Sequence, residues 1–168
     1  MIHRYFGGKD GLLLAIVRHH VSHEAVDFEN DAWRAATVED ELIQLVDWEL
    51  ERAWRDREFL KVVLRHAVID SSFSKAINTI VLSKKRELIE DRLTRFPECR
   101  DLPKGELEAL AHFVITTGFM FGFMRPVVLR QDRAQAALTA NNIARMLGRS
   151  LASNSFSLEA FQSLPSLT

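Results

Sequence analysis

The sequence predicts an all-α helical bundle, and three observations carry that prediction. Apolar residues recur at spacings of three and four along almost the whole chain, while strict alternation never persists. Only seven glycines and four prolines punctuate 168 residues, so long helices meet few breakers. Hydrophobic residues make up 47% and charged residues 27%, enough for one sizeable core inside a solvated surface.

The elements follow in order. A first helix is expected from about Lys9 to Asp27, ending in the polar stretch Glu29-Asn30-Asp31. Thr37-Val38-Glu39-Asp40 has the form of a capping box. It opens a helix whose Val38, Leu42, Val46, Leu50 and Trp54 recur every fourth residue along one face. Asp56 is placed to cap a short helix with Phe59, Val62, Val63 and Ala67 inside. Asp70 or Ser72 starts the next, which carries Phe73, Ile77, Ile80, Val81, Leu88 and Ile89 toward Phe96. Lys84, Lys85, Arg86 and Glu87 read as its solvated outer face. Pro97, Cys99 and Pro103 mark a loop. From Leu107 to Met124 runs the most apolar helix, which Arg125-Pro126 should disturb. Asp132 caps a last helix to about Leu151, and the Ser-rich tail from Ala152 is expected to be weakly structured, with Phe156, Leu158 and Phe161 able to dock as an extra turn. No internal repeat or second core domain is visible.

Composition narrows the function classes. A net charge of −1 supplies no bulk basic field that would draw the chain to nucleic acid. A single cysteine, Cys99, excludes a disulfide framework and fits a reducing cytoplasm. The start carries His3, Arg4, Lys9 and Asp10 before any apolar run, unlike a signal peptide. The longest charge-free segment, Ala109 to Met124, is shorter than the ~20 residues of a bilayer crossing, so no membrane partner is expected.

The chemistry-bearing signal lies at the start. An aromatic stub, Ile2-His3-Arg4-Tyr5-Phe6, stops at Gly7-Gly8, and Lys9 then opens an amphipathic helix. Lys9 therefore sits among the unpaired amides of a helix N-terminus, where a cation is disfavoured unless an anion such as a phosphate completes the site. The order Ile2-His3-x-Tyr5-Phe6-x-Gly8-Lys9-Asp10-x-Leu12 resembles the end of the DNA-binding domain in the tetracycline-repressor (TetR) family of transcriptional regulators. That family reads aliphatic-Tyr-x-aromatic-Phe-x-small-Lys-acidic-x-Leu there. The resemblance implies DNA contacts at His3, Tyr5 and Lys9, with His3 standing where the family has Tyr. It divides the chain into a helix-turn-helix remnant over 1–8, a ligand-binding and dimerisation domain over 9–151 and a tail over 152–168. Because the motif begins at residue 1, two supporting helices would lie upstream, and the chain as written is not expected to bind an operator well.

The resemblance also assigns duties to two late helices. On the Leu107–Val127 segment, Gly118, Phe121 and Gly122 gather on one side; Phe113, Thr116, Met120 and Phe123 gather on the other. In the family such a helix faces a second subunit and a ligand cavity. The glycine side is accordingly expected at a homodimer interface, together with the small-residue ridge Ala136, Ala140, Ala144 and Gly148. The aromatic side is expected in a pocket completed by Trp48, Trp54, His66, Phe73 and Ile77, suited to a small, mostly apolar effector. Both sides would equally well fill one core. The expected function is a ligand-responsive regulator, in the repressor sense, contacting operator DNA only through a full-length N-terminal domain. A helical binding module without a DNA role is the alternative.

Other chemistry is thinly supported. His19, His23 and Asp27 stand four apart on the first helix and form a candidate metal grip, although no further cluster closes it, and a metal-binding helical protein is a further alternative. No cofactor is called for. No phosphate-cradling loop or nucleophile elbow occurs, and Ser71, Ser72, His66 and Asp70 read as capping groups rather than a triad, so no enzyme is expected.

Overall fold

The computed structural model describes residues 8–30 and 35–162, with side chains at 8–23, 28 and 35–153. Among these residues the architecture is entirely helical. The elements are α1 (Lys9–Asn30), α2 (Val38–Arg55), α3 (Arg57–Ile69), α4 (Ser71–Ile77), α5 (Ser83–Leu93), the short α6 (Pro97–Arg100), α7 (Lys104–Phe119) and α8 (Arg133–Gln162). Two wider π-helical stretches, Asn78–Leu82 and Met120–Val128, join α4 to α5 and extend α7. The His3 and Tyr5 contacts, and Gly7, lie outside the described residues.

Capping chemistry sets the starts as expected. Thr37 Oγ1 accepts from the Asp40 amide at 3.1 Å and donates to Asp40 Oδ2 at 2.8 Å. Asp70 Oδ1 accepts from the Ser72 and Phe73 amides, at 2.8 and 3.2 Å. Asp132 Oδ1 accepts from the Gln135 amide at 2.7 Å. Asp56 precedes α3 without a side-chain cap and instead binds His20 Nε2 at 3.1 Å. Gly8 turns the chain into α1 at φ 110, a conformation that favours glycine.

The core forms around α2. Its Leu42, Leu45 and Val46 are fully buried, and they pack with Val114 and Ala111 of α7 and Ala140 and Ala144 of α8. The α7 segment Lys104–Val128 is long and apolar enough to cross a membrane by composition, yet Leu110, Ala111, Val114 and Ile115 are buried inside the bundle. Pro126 does not end this helix. The backbone widens instead, so the Leu129 amide reaches the Met124 carbonyl, five residues back, at 2.9 Å. The lost amide of Pro126 and its ring are absorbed by the wider turn.

Several sequence expectations are corrected. Cys99 lies in α6, not a loop, and is fully buried in the main core. Burial pushes its thiol up to about 11, with Glu98 adding to the effect. Lys85 is not on a solvated face but buried against Glu49. Val62 points outward at 55% exposed, and Leu60 and Leu64 turn inward instead. The last helix runs on to Gln162, beyond the expected end at Leu151.

Candidate functional site: an apolar cavity walled by the first helix

A second, smaller apolar cluster sits apart from the main core. Val17 and Val21 of α1 pack there with Val63 of α3 and Phe73 of α4. Above it opens a cavity of about 570 Å³, within the range of small-molecule sites. Val17, His20 and Val21 of α1 form one wall. Phe59, Leu60, Val63, Leu64 and Ala67 of α3 form another. Ile77, Asn78, Val81 and Leu82 line it from the π-helical stretch and its approach, and Ile115, Thr116 and Phe119 from α7. The widened backbone at Asn78–Leu82 thus lies directly in the cavity wall.

The polar part of the wall is an ionic group. Glu49, 1% exposed, receives Arg52 Nη2 at 2.7 Å and Lys85 Nζ at 3.0 Å. Arg52 and Lys85 both line the cavity, while Glu49 lies behind them. Burial alone would raise the Glu49 carboxyl. The two neighbouring cations outweigh it and hold the carboxyl below the ordinary value. Lys85 Nζ also stands 5.7 Å from the Trp48 ring centroid. His20 adds to the polar lining, as do Ser74, Lys75, Asn78 and Thr116. The His20 ring contacts Phe59 at 4.7 Å, and its Nε2 contacts Asp56 Oδ2.

Two of the nine expected pocket residues, Ile77 and Thr116, line this cavity. Phe73 packs in the apolar cluster beneath it, with His66 edge-on to its ring at 4.6 Å. The other expected residues lie elsewhere. Trp48 and Phe113 border the main core, where Trp48 also lines a crevice of only about 10 Å³. Trp54 and Phe123 belong to a third cluster with Ala53 and Val127. Met120 is exposed. The pocket is therefore built from α1, α3 and the α4–α5 segment, with Arg52 of α2 and only one face of α7. The helical period identified each apolar face but could not say which helix each face would meet.

The dimer assignment is corrected for the same reason. A Cβ on Gly118 would run into Glu49, and one on Gly122 would stand 2.8 Å from the Leu50 carbonyl oxygen. A Cβ on Gly148 would stand 2.5 Å from Glu39 Cα. Phe121, Ala136, Ala140 and Ala144 are buried as well. The small-residue ridges therefore let α7 and α8 approach α2 of the same chain. The exposed large apolar side chains of α8 and of the stretch extending α7 are different ones: Met120, Val128, Leu138, Ile143 and Met146.

The metal candidate on α1 is only partly described. His19 and His23 are exposed, their rings 4.4 Å apart and edge-on, and the Asp27 side chain lies outside the described set. Lys9 is exposed at the first position of α1. No family model, curated protein or solved structure matches this chain.

Proposed function

We propose that this chain is the effector-sensing and dimerisation part of a ligand-responsive transcriptional regulator of the TetR type, acting as a repressor. The observation that carries the reading is the shared wall. The helix that follows the DNA-reader-like motif contributes Val17, His20 and Val21 to a cavity of about 570 Å³. A molecule in that cavity touches the element whose movement would be transmitted to DNA. An effector of matching chemistry is mostly apolar, oriented by the polar groups of the wall, among them His20, Arg52, Asn78, Lys85 and Thr116.

Polar ties hold α1 to the bundle, two of them among the described side chains. His20 meets Asp56 at 3.1 Å, and Asp10 meets His66 at 3.0 Å. His20 belongs to both the cavity wall and the first tie, so an effector that engages the imidazole competes with Asp56. Loosening this tie frees α1 to pivot about Gly8. Two such pivots in a homodimer would change the separation of two half-site readers. By linkage, operator DNA must weaken effector binding by the same factor. In this reading a second copy meets the outer faces of α7 and α8 at Met120, Leu138 and Met146.

The test uses an environment-sensitive apolar dye, anilinonaphthalene sulfonate, with hydrogen exchange on α1. Saturable dye binding that is lost in Ala67→Phe and that changes amide exchange over 9–23 is the expected result. Dye binding that survives Ala67→Phe, or leaves α1 exchange untouched, overturns the sensor reading. In a chain carrying the complete reader, Gly8→Pro should keep effector binding and abolish the effector's influence on operator DNA. A binding module without a DNA role would show no operator affinity at all.

A further inference from the structure

We infer that Asp10, His66 and Asp70 form a binding site for a divalent transition-metal ion of the zinc or nickel type. One potential ligand atom from each lies within 4.8 Å of the other two. The three come from separate elements. Asp10 is in the first turn of α1, His66 in the last turn of α3, and Asp70 is the N-cap of α4. His66 Nε2 and Asp10 Oδ1 are already 3.0 Å apart. Ligands 2.0–2.2 Å from a zinc ion stand roughly 3.3–3.6 Å from one another, so side-chain shifts of about 1 Å among the three residues close the set.

Two of the three ligands are held in place before any ion arrives. The His66 ring stands edge-on to Phe73 at an interplanar angle of 89°, which fixes its direction. Asp70 Oδ1 receives Ser72 N, Ser72 Oγ and Phe73 N at 2.8, 2.7 and 3.2 Å. Hydrogen bonds of this kind orient a ligand carboxylate. One imidazole with two carboxylates suits zinc or nickel better than magnesium or calcium, which take oxygen donors. Three protein ligands leave the remaining positions to water.

The ion would fasten the start of α1 to the α3–α4 corner, beside Ala67 and Ser74 of the cavity wall. It would do so at the second of the two ties described above. The inference rests on these three side chains alone and holds whichever function the cavity serves.

The test is calorimetric titration of the chelator-treated chain with zinc chloride and with nickel chloride, paired with thermal melts. One ion per chain and a raised melting midpoint are expected. His66→Gln and Asp10→Asn should each weaken binding at least tenfold. Asp70→Asn should weaken it too, while its amide oxygen preserves the helix cap, and circular dichroism checks that every variant is folded. The double variant His19→Gln/His23→Gln should bind as the parent does. No saturable binding, or undiminished affinity in folded His66→Gln, overturns the site. Loss of binding in the His19/His23 variant instead places the ion on the α1 pair, and equally overturns it.

Discussion

Gly122→Ala is the sharpest probe of how the bundle is held together. The added methyl would stand 2.8 Å from the Leu50 carbonyl oxygen, 2.9 Å from Leu50 Cα and 3.0 Å from Ala53 Cβ. Ordinary contacts between such atoms fall at about 3.5–4.0 Å, so α2 and the extension of α7 must part by roughly 0.5–1 Å. Two of the three obstructing atoms are backbone, so no side-chain rotation relieves the overlap. Overpacking against backbone atoms falls in the upper part of the usual range, about 2–3 kcal/mol. Replacing glycine inside a helix returns at most about 1 kcal/mol. A net loss of about 1–2 kcal/mol lowers the melting midpoint by about 2–8 °C in a chain of this size. Gly105→Ala is the matched control, because nothing lies within 4 Å of its new methyl and the residue is exposed in the first turn of α7. It should be neutral or stabilise by up to about 1 kcal/mol. The assay is thermal unfolding followed by circular dichroism at two protein concentrations tenfold apart. Because Gly122 packs inside one chain, the gap between variant and parent should not change with concentration. A Gly122→Ala protein as stable as the parent, or a gap that widens on dilution, refutes intrachain packing of this ridge.

Glu49→Gln should cost about 3–5 kcal/mol at pH 7, read by urea denaturation, because it leaves Arg52 and Lys85 at a buried site without their carboxylate. The Glu49 carboxyl is held below 4.5 in the folded chain, so its stabilisation is complete above that value and is lost as pH falls through the lower folded value. The acid limb of the stability–pH curve should accordingly be shallower in Glu49→Gln than in the parent. Thr37→Ala removes the α2 cap and should destabilise by about 1 kcal/mol, while Thr37→Ser should fall within a few tenths of the parent in the same denaturation assay. Cys99, buried and with its thiol pushed up to about 11, should react with a thiol reagent at pH 8 only as fast as the chain opens. Labelling at the rate of an exposed thiol would contradict its place in the core.

The linear sequence determined the helical class, the order of the helices and most of their starts. Those properties are local: the capping groups Thr37, Asp70 and Asp132 act on amides two or three residues away, and the apolar period is written residue by residue. It also marked Gly118, Gly122, Ala136, Ala140 and Ala144 as points of close approach, which they are. The structure alone decided what they approach. A small-residue ridge fits a partner subunit and a neighbouring helix equally well, and only the seating of α2 between α7 and α8 assigned it to the same chain. The cavity was legible in part. The resemblance to a ligand-sensing family suggested one, and Ile77 and Thr116 line it, but nothing in the sequence marks α1 and α3 as its walls. Lys85 shows the same limit, for its neighbours in sequence are charged while its burial depends on Glu49, 36 residues away. Apolar and charged faces are intrinsic to a helix; the neighbour that each face meets is set by how all the helices pack at once, and that choice is recorded in no local pattern.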